Sequence, residues 1–547
     1  MEKIHIRDSI YDEIPVYREI EEPVINKWEI QRLRYIKQLQ LTYLVYPTAL
    51  HTRFDHSLGV MHIASEFLEH VLDNADNIDI LKKPAELEVV SDNVFRLFNR
   101  VVARLAGLLH DIGHGPLGHL FDEYIVPNIL KNKLDVLDKK CFSHEVISFL
   151  IYWHRLRDDI KKILEKIDVF KRFTDVLIEW LDQIMIPICW DRDTGKSIYH
   201  DEFKVNTSGY GYFIRMIVRD YLYPADLLDY LIRDSKFTGT IELGFINRLR
   251  LMRYTKPISY DQVIDKIPST GKNPPTPILM VLDEKALGDL IRYLDARKLM
   301  YENVYLHKAI KAFDWSAIKI LSEDEVWYHI GFNKDLLIKA IEKPRDSSIV
   351  NAFLDEYLDL TDHVLLKIRD LVKRNNIKNE VVKEHVKALF DYRKPLYKSI
   401  HSELIPATPH LLENSRISTR IYEFEEELRK TIVDKINSPD LYEQIIVGIE
   451  QIQIYPGTAW NIQGPSVYTT IDGSIRVYTI EDFSEKYHIS NIGIIRLYID
   501  RSLIEPQRRR FINELMKVFI NEVKDNSENR KKLEELIGII TISTITM

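Results

Sequence analysis

The chain has 547 residues, too many for one compact core, so two or three packed subregions are expected. Hydrophobic residues make up 45% and charged residues 29%, an ordinary soluble balance; the net charge of -8 argues against a nucleic-acid binder but leaves room for a small anionic substrate. Two distant cysteines, Cys141 and Cys189, build neither a disulfide framework nor a thiolate cluster, so any metal must be held by His, Asp or Glu.

Residues 1–20 alternate polar and β-branched side chains and predict a strand or hairpin. The N-terminus has no apolar signal segment, and no run of about 18 apolar residues occurs, so no membrane helix is expected and the chain reads as cytoplasmic. Loose helical spacing runs from Val24 to about Gln40, and a second helix is predicted over 53–73. Asn74–Asn93 is charged and reads as a surface excursion. A helix from about Val94 to Ile112 precedes the breaker-rich GHGPLGH. Two or more helices fill 143–183, a polar loop follows over 191–211, and one helix is predicted over 212–236. Ile267–Pro277 reads as a loop. A short strand at Ile278–Leu282 leads into a long helix to about Phe313, and further helices fill 322–437. Strands are predicted at Ser474–Thr479 and Ile494–Asp500, and a helix at Gln507–Val523. The fold class is therefore mainly α, with a small α+β C-terminal region.

Four segments carry chemistry: HTRFDHSL from His51, HDIGHGPLGH from His110, FSHE around His144, and DLLDYLIRD from Asp226. His110 and Asp111 end an apolar helix, where an unpaired imidazole and carboxylate would be costly to bury. A divalent cation removes that cost. One His from the first segment and one Asp from the fourth complete an N,N,O,O donor set suited to Mn, Fe, Zn or Mg. Such an ion supports phosphoester hydrolysis, and a nearby His can protonate the leaving oxygen. Gly113, Gly115 and Gly118 allow the sharp turn that lets His114 and His119 face one cavity. Asp226, Tyr230, Arg233 and Asp234 share one helix face, a polar and aromatic wall for a nucleotide. Taken singly, an HD dipeptide is a weak signal, and His62, His70, His307, His329 and His410 read as surface or satisfied core residues. The Arg508–Arg510 run reads as a solvated helix start. The series H…HD…D with three further histidines is far more specific.

On these segments, together with QRLRYIKQL (31–39), YPADLLDYLIRD (223–234) and ARKLMYENVYLHK (296–308), the chain resembles the HD-superfamily dNTP triphosphohydrolases. It looks most like the catalytic part of the animal SAM-and-HD-domain enzyme and its prokaryotic relatives, over about residues 20–524. The resemblance implies an HD-type helical bundle, with an HD phosphohydrolase domain over 1–320, a helical extension over 321–450 and a small α+β region over 451–547. It implies release of a deoxynucleoside and inorganic triphosphate, with attack by water at the α-phosphorus. His56, His110, Asp111 and Asp226 would hold the metal. Arg53 would contact the α-phosphate. His119 would be the general acid on the 5′ oxygen, oriented by Asp122, while His114 and His144 would hold phosphate oxygens or a second metal's waters. Gln38 and Asp234 would bind the 3′-hydroxyl. Leu39 and Tyr305 would crowd the 2′ position, and Tyr230 and Arg297 would contact the triphosphate. A homo-oligomer, dimer or tetramer, is implied.

Departures from the family pattern bear on control and grip. Leu227 stands where the family has Lys, and Tyr301 where it has His. Arg34 and Gln31 match guanine-reading positions, but Asn26 replaces their acidic partner, and Gly244, Arg248 and Asp283 replace other activator contacts, although Lys285 remains. Constitutive activity, or activation by another nucleotide, is the expectation. The competing readings are an HD phosphohydrolase on another nucleotide or nucleic-acid phosphoester, and a nucleotide sensor with little turnover.

Overall fold

The computed structural model describes the chain apart from residues 76–86, 127–142, 188–197, 267–275, 408–409, 414–416, 453–465, 472–473, 505–507 and 543–547. Cys141, Cys189, Phe142 and most of the loops expected at 74–93 and 267–277 lie outside the described residues.

The chain opens as an antiparallel hairpin of β1 (Lys3–Asp8) and β2 (Asp12–Tyr17). Asp8 shapes its turn: Oδ1 accepts the amides of Ile10 and Tyr11 at 2.7 and 3.0 Å. The helix expected over 24–40 is replaced by the short turns Glu21–Ile25, Trp28–Gln31 and Arg32–Tyr35, broken where Lys27 is extended. Segment 36–38 then runs beside 51–53: Gln38 N donates to His51 O and Arg53 N to Ile36 O. That pairing carries Gln38 to the start of α1 (Arg53–Asp73), where Asp55 reaches back to the Thr52 amide at 2.8 Å.

The amphipathic helix α2 (Asp92–Leu109) packs along α1 and becomes buried all round toward its end, so His110 and Asp111 emerge in the interior. The 143–183 stretch begins with α3 (His144–Ile151). The single helix expected over 212–236 is two elements. The chain breaks at Tyr221–Pro224, because Pro224 lacks a donor and holds its predecessor out of the helical region. The helix α4 (Ala225–Thr238) starts afresh, with Asp226 in its first turn.

The strands β3 (Thr255–Ser259) and β4 (Ile278–Asp283) pair antiparallel. The long helix expected to Phe313 is divided into α5 (Leu287–Met300) and α6 (Lys308–Leu321) by a π-helical turn at Tyr301–Tyr305. Helix α7 (Ser347–Tyr357) belongs to the predicted helical run. That run also hides a strand, β5 (Tyr397–Ala407), an edge strand whose polar alternation gave no apolar signal. It pairs with β9 (Asn491–Asp500), a nearly continuous buried run, which pairs on its other side with β6 (Ile445–Ile452). Two further strands, β7 (Ser466–Ile471) and β8 (Ser474–Thr479), extend the body's small sheet: β7 joins β4 in parallel at Leu282–Asp283. The protein is thus mainly helical with small sheets. Among the described residues no helix is long and apolar enough to cross a membrane.

One apolar core runs from Ile14 through the body to Leu389 and takes in Ile452, Val467 and Phe483; a second surrounds the β5–β9–β6 sheet. The apolar residues of the expected extension therefore divide between the two cores.

Arg32 ties these layers to the histidine loop. Its fully buried guanidinium donates to four carbonyls: Ile112 (3.1 Å), His114 (3.0 Å), Leu358 (3.0 Å) and Leu360 (2.8 Å). Tyr357, at the end of α7, donates to Gly113 O at 2.7 Å, and Asp362 accepts the amides of Leu117 and Lys37. Replacing Arg32 leaves several buried acceptors unpaired. We expect Arg32→Met to lower the unfolding free energy by about 3–5 kcal/mol, measured by denaturant titration. An unchanged midpoint would show that this strap is dispensable.

Candidate metal centre

The site forms where α1, the end of α2, the 110–119 loop, α3 and α4 meet. His56 comes from α1, His110 and Asp111 follow α2, and Asp226 opens α4. Their reactive atoms converge. His56 Nε2 lies 3.0 Å from Asp226 Oδ1 and 3.8 Å from Asp111 Oδ2. His110 Nε2 lies 3.6 Å from Asp226 Oδ1 and 3.4 Å from Asp111 Oδ1.

The other ring nitrogens are committed. His56 Nδ1 is 2.8 Å from Asp229 Oδ2, and His110 Nδ1 is 2.8 Å from Gly107 O. Carboxylates and carbonyls accept, so each Nδ1 carries a proton and each ring turns Nε2 toward the centre, where a cation would take the place of any proton. Both Nε2 atoms are buried and make no hydrogen bond. Burial pulls the His56 imidazole down, but Asp226 and Asp229 outweigh it and push it up to about 10. Burial would also raise Asp111 and Asp226, yet neighbouring histidines, and Arg53 beside Asp111, hold both below the usual carboxylate range. Two orphaned imidazole nitrogens facing carboxylates in a buried space fit a divalent cation; His56, His110 and Asp226 cluster closely enough to hold one, and Asp111 lies beside them, 3.8 and 3.4 Å from the two Nε2 atoms.

A second cluster joins the first through Asp111. The His114 and His144 rings stack with centroids 3.7 Å apart. Their Nε2 atoms lie 3.5 and 3.8 Å from Asp111 Oδ1, and their Nδ1 atoms 3.1 and 2.9 Å from Asp122 Oδ2. His119 stands edge-on to both rings, at 4.9 and 5.4 Å, with its side chain exposed. Burial and Arg53 lower His114, whereas Asp122 outweighs burial and raises His144. Gly118, at φ 50, makes the left-handed turn expected of this loop.

Asp122, expected to orient His119, lies in one group with His114, His119 and His144 and hydrogen-bonds His144. Arg53, expected on a phosphate, donates Nη1 to Asp111 Oδ2 at 2.6 Å and keeps its buried Nε and Nη2 without partners. One expected placement differs. Arg233, expected on the nucleotide wall, turns away from it to pair with Asp229 and Asp8.

The remaining expected residues line one side. Tyr305 donates to Asp234 Oδ2 at 2.8 Å, and His51 Nε2 lies 2.8 Å from Asp234 Oδ1. Arg297 donates to the Tyr230 hydroxyl, and its guanidinium lies 5.0 Å from the centre of the Tyr301 ring. Gln38 and Leu39 are buried, and Gln38 Oε1 has no partner. Leu227 is buried as well. Asp229 and His51 were quoted in the sequence motifs without a role. The Asp226/Asp229 spacing was a signal for the former; nothing local marked the latter.

His110→Ala is expected to abolish tight Mn²⁺ binding in isothermal titration of the full chain. Retained affinity would overturn the ligand assignment.

Residues 53–180 match the family described as HD domain. The chain is 30% identical over 374 residues to an uncharacterized protein of Methanocaldococcus jannaschii, covering 68% of this chain and 58% of that protein. It thus spans less than two thirds of that relative's length. It is 23% identical over 541 residues to the human deoxynucleoside triphosphate triphosphohydrolase SAMHD1, covering 94% of this chain and 76% of the human protein. A solved phosphohydrolase structure from Bacteroides thetaiotaomicron shares the fold, with a TM-score of 0.56 and 20% identity over 91% of this chain and all of that one. The chain thus contains an HD domain, and that segment carries His56, His110 and Asp111.

Proposed function

We propose that the protein is a metal-dependent phosphohydrolase that converts deoxynucleoside triphosphates to deoxynucleoside and inorganic triphosphate. The observation that carries this reading is the pair of buried, unpartnered Nε2 atoms of His56 and His110, facing Asp111 and Asp226 beside a row of histidines. These four residues hold a divalent cation: Mn, Fe, Mg or Zn. When bound, the cation supplies Lewis acidity and water activation.

The chain's own groups do the rest. Arg53 spends one nitrogen on Asp111 and keeps two buried donors for an α-phosphate oxygen. His114 and His144, braced by Asp122 and Asp111, offer ring nitrogens to phosphate oxygens. His119 stands at the exposed edge of that pair, placed to give a proton to the departing 5′ oxygen. Tyr230 and Arg297 hold the triphosphate, Gln38 and Asp234 the 3′-hydroxyl, while Leu39 and Tyr305 leave no room for a 2′-hydroxyl. The relationship to the human triphosphohydrolase supports this substrate class. A second reading, another phosphoester substrate, is favoured by buried Leu227, which offers the triphosphate no charge.

The test is a product assay with each dNTP, using Mn²⁺ and Mg²⁺. Deoxynucleoside and intact triphosphate are expected. Release of monophosphate or pyrophosphate, or no turnover, would overturn the proposal. His119→Ala should keep Mn²⁺ affinity and lose turnover by about 10²–10⁴-fold. Loss of the metal in that variant would refute the acid role.

A further inference from the structure

The N-terminal hairpin lies behind the metal centre rather than in front of it. Its turn reaches the one carboxylate that holds His56 but cannot itself reach the cation position. Asp229 is fully buried and accepts from four donors: His56 Nδ1 (2.8 Å), Arg233 Nε (2.9 Å), Arg233 Nη2 (3.0 Å) and the Tyr11 hydroxyl (2.7 Å). Arg233 is fixed in turn from the hairpin, because its Nη1 donates to Asp8 Oδ2 at 2.8 Å. Asp8 also accepts the Tyr11 amide, so both contacts come from one rigid turn. Tyr11 is itself seated: its ring lies 5.0 Å from His62, with the guanidiniums of Arg233 and Arg248 5.7 and 5.2 Å from its centre. Helix α1 makes room for this arrangement at Gly59, where a Cβ would stand 2.0 Å from Asp229 Oδ1.

A carboxylate that accepts four hydrogen bonds has little freedom to rotate. From this closed set of contacts we infer that Tyr11 is a positioning residue for the metal centre, acting through Asp229 to fix the tautomer and the aim of His56. The inference rests on the reading of His56 as a metal ligand. Burial, and then the charge of Asp229, push the Tyr11 hydroxyl well above its usual range, so it stays a donor at any working pH. Partners of metal-binding histidines orient the ring and set its basicity, and their loss weakens metal binding by 10–100-fold in typical cases.

The test uses the full chain and the metal alone. Tyr11→Phe keeps the ring and removes one hydrogen bond. We expect Mn²⁺ affinity to fall about tenfold in isothermal titration, the lower edge of that range, beyond the small loss of melting temperature that removing one buried donor brings. A merely structural role would move the melting temperature and leave the affinity alone. Asp8→Asn keeps the acceptor for the turn amides and removes the charge facing Arg233; it should weaken Mn²⁺ in the same direction. Wild-type affinity in folded Tyr11→Phe overturns the inference, as does wild-type affinity in Asp8→Asn should Tyr11→Phe fail to fold. Asp226→Ala separates the two levels. If Mn²⁺ binding does not depend on Asp226, the ligand reading itself fails; if it does, and Tyr11→Phe binds like wild type, only the positioning role fails.

Discussion

Asp111, Asp226 and Asp229 bring three carboxylates into one small interior volume, and their mutual repulsion is the constraint around which the rest is arranged. Asp111 and Asp229 are buried and Asp226 is partly so, and none can be protonated at low cost while its neighbours hold it ionised. The chain answers with cations of its own where it can. Arg53 takes one oxygen of Asp111, and Arg233 takes Asp229 from two sides. Asp226 has no arginine; it faces only His56 and His110. The uncompensated charge is therefore concentrated between two imidazoles whose outer nitrogens are already bound, the arrangement from which the proposed metal role follows.

Arg32 and Arg233 show how buried guanidiniums are divided between tasks. Arg32 meets only backbone carbonyls, so it organises chain rather than charge, pinning the histidine loop to the segment after α7. Arg233 hydrogen-bonds two carboxylates, Asp229 and Asp8, and links the hairpin to α4. Losing Arg32 would leave four carbonyls unpaired, whereas losing Arg233 would leave two acids without their counter-charge.

Long periodic elements were legible in the sequence. The hairpin, α1 and α2 follow their alternation or helical spacing closely, because their apolar residues recur at the period of the element. The ligand set was also legible, since four short segments each held an ionisable group beside apolar ones. What was hidden depended on distant partners. No local pattern marks Asp122 as the hydrogen-bond partner of His144, or Tyr11 as the neighbour of Asp229, 218 residues away. The strand β5 was hidden for a different reason: at a sheet edge its polar residues read like an exposed helix. The break at Tyr221–Pro224 had a signal in Pro224, outweighed by apolar residues on both sides.

The π-helical turn at Tyr301–Tyr305 has a consequence for how the sequence can change. A π turn holds one residue more than the α-helical turn it replaces. Each residue of an α-helix advances about 100° around its axis. A chain one residue shorter here would turn Tyr305 by about that angle relative to α5, away from Asp234, even though the extended His307 would still separate α5 from α6. The wall beside the metal centre is therefore guarded by chain length as well as by residue identity.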